Sequence, residues 1–141
     1  MNPKHIIIDS SVAIKWYLPD EENDEALKIK SDFNKRIVLI DVPILFFYEV
    51  SNVLRTTTKQ LRIENVNSTK AYYHLLDLNF NTYSSKDLFK KALEKAFTLD
   101  ISSYDASYIV LAEHLQIPFY SADEKLVRKA GHELVLHLRD Y

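Results

Sequence analysis

Short apolar runs alternate along the chain with longer stretches in which apolar residues return every three or four positions. The first run, Ile6 to Ile8, is β-branched throughout and meets an acid, Asp9. Residues 6–9 therefore read as a short strand, apolar on both faces as in a parallel sheet. Ser10 or Ser11 caps a helix to about Tyr17, and Pro19 stops it. Residues 21–33 read as a helix with an acidic first turn (Glu21, Glu22, Asp24), and 37–41 as a strand. Pro43 occupies the place of a first helical residue, and a helix over 44–59 follows. A helix over 68–78 comes after the polar connector 64–67, and 80–83 is a candidate strand. Ser84 with Asp87 forms a capping box for a helix to about Phe97. The remainder reads as helix 102–115, strand 117–120, helix 123–130 and strand 134–136.

Strands separated by helices through short loops predict an α/β/α sandwich on a mostly parallel sheet. No linker, repeat or low-complexity segment breaks the pattern, so residues 1–141 read as a single domain. Ligands of such sheets sit beyond the carboxyl ends of the strands. Asp9 ends the first strand and Asp123 lies just past the strand at 117–120, so both are candidates for one crevice.

Composition narrows the chemistry. There are no cysteines, which excludes disulfides, thiolate metal sites and a cysteine nucleophile. A single glycine in 141 residues leaves no way to build a GxGxxG or Walker phosphate loop. Eighteen basic against 20 acidic residues give a net charge of −2, so any nucleic acid must be held by local patches or bound cations. The apolar runs are too short for a membrane span, and MNPKHIIID lacks the form of a secretory signal. A cytoplasmic protein without membrane contact is the expectation.

Four acids stand in awkward places. Asp9 and Asp123 follow strands, and each also suits a helix cap, Asp123 beside Ser121 and Glu124. Asp105 completes an S-x-x-D capping box with Ser102, yet shares its helix face with Tyr108, Ile109 and Ala112. Glu49 sits inside PILFFYEVSNVL, with Leu45, Phe46, Asn52 and Val53 nearest on the helix surface. An unpaired carboxylate in such a stripe is strongly unfavourable. Converging carboxylates repel one another and some protonate, unless a hard cation such as Mg²⁺ or Mn²⁺ joins them. With that cation the cluster bridges to phosphate oxygens and supplies a water-derived nucleophile. The expectation is metal-assisted phosphoryl chemistry with no covalent intermediate.

Four segments together resemble a PIN domain, and in particular a VapC-type toxin of a VapBC toxin–antitoxin pair. IIIDSSVAIKWYLPDEE is similar to the family's opening strand, its Asp with a following hydroxyl, and its Pro-containing acidic stretch. PILFFYEVSNVL resembles its P-x-x-x-x-x-E-V-x-N-V-L segment, and ISSYDASYIVLAEHL its L-x-x-Y-D-A-x-Y-L-x-L-A-E segment. SADEKL matches the closing Ser/Thr-x-Asp before a helix. The resemblance runs from residue 6 to about 136. It implies a PIN-like α/β/α sandwich and a Mg²⁺- or Mn²⁺-dependent endoribonuclease. It also implies an acidic cluster of Asp9, Glu49, Asp105 and Asp123. Asp9, Asp105 and Asp123 would bind metal most directly, with Glu49 a ligand or a positioner of water. Ser10 and Ser121 match the small hydroxyl positions and equally suit helix caps. Many PIN nucleases carry a further acid or Asn shortly after the last Asp. Here the candidate, Glu124, should point away, which implies one metal before substrate and a second arriving with RNA. A homodimer and a VapB-type antitoxin, seated near 21–33 and 44–59, are the implied partners.

RNA must still reach an acidic pocket. Arg55, Lys59 and Arg62 form one basic stripe if the helix extends that far. Lys15, and Lys125, Arg128 and Lys129 after Asp123, are further phosphate contacts to test. Trp16 and Tyr17 suit base stacking or core packing, and Phe46, Phe47 and Tyr48 read as core. The five histidines show no ligand spacing. Three rivals stay open: a Mg²⁺-dependent phosphatase, although the D-x-D of an Asp nucleophile is missing; a non-catalytic PIN-fold binder; and a house-keeping RNA-processing nuclease without an antitoxin.

Overall fold

The computed structural model describes residues 2–21 and 23–141; Glu22, part of the expected acidic first turn, lies outside them. Strand β1, Lys4–Ile8, buries Ile6, Ile7 and Ile8. A β-branched run with no polar face suits the middle of a parallel sheet, and β1 is the central strand. Beside it stand β2 (Val38–Pro43), β3 (Asn81–Tyr83), β4 (Phe119–Ser121) and β5 (Val135–His137). Their order is β3-β2-β1-β4-β5, and every neighbouring pair is parallel. The chain runs outward from β1 through β2 to β3, then returns to the other side of β1. The reversal opens a crevice at the carboxyl ends of β1 and β4, where open α/β sheets take their ligands.

Seven α-helices among the described residues connect the strands: α1 (Ser10–Ala13), α2 (Asp24–Asn34), α3 (Leu45–Lys59), α4 (Asn65–Leu76), α5 (Lys86–Leu99), α6 (Ser103–Leu115) and α7 (Glu124–Ala130). The result is the expected α/β/α sandwich, with an all-parallel sheet. Helix α6 carries the core. Ala106, Tyr108, Ile109, Val110, Leu111 and Ala112 are all buried, and the helix lies against β1, β2 and β4. Ala92 and Ala96 of α5 meet Ala106 and Val110 of α6, small side chains that bring the two helices close. The only glycine, Gly131, ends α7 at φ +53°, the left-handed turn that favours it. Among the described residues no helix is long and apolar enough to cross a membrane.

Several local expectations shift. The N-cap of the first helix is Asp9, not Ser10 or Ser11, and the helix is four residues of α1 continued by a 3-10 turn, Ile14–Trp16. Pro43 is the last residue of β2 rather than the start of α3, because it still pairs in register with Tyr83. Ser85, not Ser84, caps α5, its hydroxyl accepting from the Leu88 N–H at 3.1 Å. Helix α4 begins at Asn65, within the expected connector. Trp16 is core, its indole N–H donating to the Ala26 carbonyl at 2.8 Å, and Phe46 is buried, whereas Tyr48 is 75% exposed. A buried acid that sequence reading passed over, Asp41 on β2, accepts hydrogen bonds from the Tyr83 hydroxyl (2.8 Å) and pairs with His5 Nδ1 (2.7 Å).

Candidate active site

Asp9 lies one residue past β1 in an extended conformation, and its Oδ1 accepts from the Ser11 N–H at 3.1 Å. The helix-cap role is real, but it leaves Oδ2 for other work. That oxygen accepts a 2.6 Å hydrogen bond from Ser121 Oγ at the end of β4, across the reversal point of the sheet. Ser11 Oγ also donates to Asp9 Oδ1 and accepts from the Ala122 N–H at 3.0 Å. Ser121 Oγ accepts in turn from the Asp123 N–H at 3.1 Å. Two hydroxyls thus tie the turn after β1 to the turn after β4. Ser121 stands where expected. Ser10 makes no side-chain hydrogen bond among the described residues, and Ser11 takes that place. The signal was available: an Asp cap bonds the residue two positions on, which puts Ser11 against it.

Glu49 is half-buried on α3, and its Oε1 accepts from the Tyr108 hydroxyl of α6 at 2.5 Å. Asp105 opens α6, where its N–H donates to Ser102 Oγ at 3.0 Å. Among the described residues no bond returns from the Ser102 N–H to the Asp105 carboxyl, so the box is half-made and the carboxyl is left for the crevice. Asp123 is exposed and caps α7, its Oδ1 accepting from the Leu126 N–H at 3.1 Å. The carboxyls of Asp9, Glu49 and Asp123 are thus each held by a cap or a core contact, whereas the Ser102 cap holds Asp105 by its backbone alone.

The acids sense one another. Burial pushes the Asp9 carboxyl up to about 6; the Ser11 and Ser121 hydroxyls oppose the rise and the Asp105 charge adds to it. Burial likewise pushes Glu49 up to about 7, against the Tyr108 hydrogen bond and with the charges of Asp9 and Asp105. Asp105 is raised by burial first and by the Asp123 charge second. Among the described residues none of the four pairs with a lysine, arginine or histidine. Nor, among those residues, do three or more acids or histidines stand close enough to enclose a metal ion. The donor set is all oxygen, mutually repelling and without a compensating cation, which fits a hard divalent ion.

A groove of about 520 Å³ opens beside Ser11 and Asp123 and runs along α3, where Asn52, Thr56 and Gln60 line it at four-residue spacing. Lys15 stands at its wall. Sequence reasoning missed the three polar residues because they look like any solvated helix face. Arg55 and Lys59 line a different groove, of about 660 Å³, between α3 and α4. The proposed stripe through Arg62 does not form. Helix α3 ends at Lys59, Leu61 turns at φ +59°, and Arg62 pairs with Asp20 (2.9 Å) and Glu21 (3.4 Å). Arg128 is exposed on α7, and Lys129 donates to the Asp100 carbonyl at 2.8 Å.

Solved structures share this architecture. The chain is similar to the crystal structure of PAE2754 from Pyrobaculum aerophilum, with a TM-score of 0.75 and 18% identity over 97% of this chain and 85% of that one. It is also similar to the crystal structure of FitAcB from Neisseria gonorrhoeae, with a TM-score of 0.65 and 11% identity over 96% of this chain and 99% of that one. No curated protein matches it. The family model described as PIN domain matches residues 6–132, which holds Ile6–Ile8 of β1, all four acids and both Ser11 and Ser121. PIN domains are generally nucleases that use divalent metal ions. With the matched segment spanning nearly the whole chain, this protein belongs to the PIN domain family.

Proposed function

We propose that this PIN nuclease is a Mg²⁺- or Mn²⁺-dependent endoribonuclease acting as the toxin of a VapBC-type pair. The observation that carries the chemistry is that Asp9 and Glu49, fixed by Ser121 and by Tyr108 of the helix that Asp105 opens, both feel the Asp105 charge, while among the described residues no lysine, arginine or histidine pairs with any of the three. Asp9, Asp105 and Asp123 would share the cation, no more than two of them in direct contact and the rest, with Glu49, through bound water. The bound ion supplies positive charge for the phosphate oxygens and lowers the pKa of the attacking water. The chain's own part is positional. Ser11 and Ser121 fix the Asp9 carboxylate, the α7 cap fixes that of Asp123, and the α6 cap fixes the backbone that carries Asp105. RNA lies along the groove lined by Lys15, Asn52, Thr56 and Gln60, and Lys15 neutralises a flanking phosphate. Arg128 is a peripheral phosphate contact, and Arg55 and Lys59 serve RNA only where it wraps past α3.

The order of the four motifs over residues 6–136 supports the toxin role. The 660 Å³ groove between α3 and α4, with Leu54, Tyr72 and Tyr73 in its wall, suits an amphipathic helix of an antitoxin. The exposed stripe Phe89, Leu93 and Phe97 on α5, four residues apart, suits a homodimer face. The experiment incubates purified, antitoxin-free protein with a structured RNA pool in Mg²⁺, Mn²⁺ or EDTA, with Asp9→Asn and Asp105→Asn alongside. Cleavage that needs the metal and both acids supports the nuclease. Cleavage that survives EDTA or both substitutions removes it. Growth arrest on expression, relieved by a co-expressed upstream partner, separates a toxin from a house-keeping RNA-processing enzyme.

A further inference from the structure

We infer that Tyr108 is a positioning residue of this site: its hydroxyl fixes the Glu49 carboxyl in the orientation the reaction uses. The inference rests on the nuclease reading of the crevice. Tyr108 is completely buried in α6, its ring stacked on Phe119 of β4 with centroids 5.3 Å apart and planes at 16°. Phenylalanine fills the same space, so packing alone does not call for the phenolic oxygen. A buried hydroxyl is costly unless it is hydrogen-bonded, and its partner is Glu49 Oε1 at 2.5 Å. Glu49 sits on a different helix, α3, half-buried and otherwise free to sample rotamers of a long side chain. One oxygen is held by the phenol, and the other is left for a cation or a water. Helix α6 thereby delivers two groups three residues apart: Asp105 directly, and Tyr108 through Glu49.

The test is a double-mutant cycle with Tyr108→Phe, Glu49→Ala and the combined variant. Single-turnover RNA cleavage in Mg²⁺ gives the rate and the half-saturating RNA concentration, and metal-free thermal melts give stability. Tyr108→Phe is expected to slow cleavage about tenfold, the loss of one hydrogen bond to a charged group, with half-saturation changed less than about twofold. In the Glu49→Ala background the same substitution is expected to alter the rate less than about twofold. There it leaves the melting temperature unchanged or raised, because the orphaned hydroxyl is gone. Equal slowing in both backgrounds, or no slowing in either, overturns the inference. Wild-type protein that cleaves no RNA overturns the nuclease reading instead. The melts then decide the Tyr108–Glu49 coupling alone: additive effects on stability overturn it.

Discussion

Replacing Asp9 by asparagine should stabilise the metal-free protein at neutral pH while removing its activity. Asp9 is 7% exposed, and its carboxyl is pushed from 3.8 in the unfolded chain up to about 6 in the fold, chiefly by burial. Two pKa units correspond to about 3 kcal/mol. The folded state holds the proton more tightly than the unfolded chain. The stabilisation from protonated Asp9 is therefore complete below about pH 4 and lost as pH rises through about 6. Above that, the ionised group burdens the fold by the full difference. Asparagine has no charge to bury. Its Oδ1 keeps the Ser11 N–H, and its amide turns toward Ser121 Oγ in place of an accepted bond. Rearranging that contact costs about 1 kcal/mol. The net gain is about 2 kcal/mol at pH 7.5 in EDTA, a rise in melting temperature of roughly 5 °C for a chain of this size. Thermal melts of both proteins from pH 4 to pH 8, with and without Mg²⁺, measure it. The gain should turn into a loss of up to about 1 kcal/mol below pH 4, where only the rearranged contact counts, and Mg²⁺ should stabilise the wild type alone. A variant less stable than wild type at pH 7.5 in EDTA, or a gain independent of pH, refutes the burial account of Asp9.

Other outcomes follow from particular contacts. Ser121→Ala removes the donor to Asp9 Oδ2 and the acceptor of the Asp123 N–H. It should slow cleavage about tenfold and lower stability by about 1 kcal/mol in urea titrations. Ser11→Ala should behave alike and Ser10→Ala should be near neutral, which compares the two hydroxyls in one assay. Lys15→Ala should weaken RNA binding and flatten its salt dependence by about one unit of log–log slope. Arg55→Ala should do less to cleavage, since Arg55 lines the α3–α4 groove; an equal effect would put RNA on that face too. Asp41→Ala strips His5 and Tyr83 of their shared carboxylate in the buried sheet. It should cost about 2 kcal/mol of unfolding free energy without changing the metal dependence of cleavage.

What the sequence discloses is set by how local the physics is. The β-branched run before Asp9 and the apolar faces of 44–59 and 102–115 announce a buried parallel sheet with helices on it, and those elements stand where periodicity puts them. The four acids were legible because each breaks a pattern: a charge at a strand end or on an apolar stripe. Boundaries shifted where two rules competed. Pro43 fits a helix start, yet pairing with Tyr83 keeps it in the strand. The basic stripe failed because a left-handed turn at Leu61, which no residue nearby advertises, ends α3 before Arg62. Contacts made across the chain were not legible at all. Nothing in ISSYDASYIVLAEHL says that Tyr108 reaches Glu49, 59 positions away, or that Ser121 reaches Asp9, 112 positions away.

Titration of Mn²⁺ into the metal-free wild type, Asp9→Asn and Asp105→Asn, followed by calorimetry at pH 7.5, tests the central claim most directly. The account predicts saturable binding to the wild type with release of protons from the raised carboxyls. It also predicts affinity at least tenfold weaker in each variant. Wild-type protein that binds no Mn²⁺, or variants that bind it as tightly as wild type, would contradict the reading of Asp9, Glu49, Asp105 and Asp123 as a cation site.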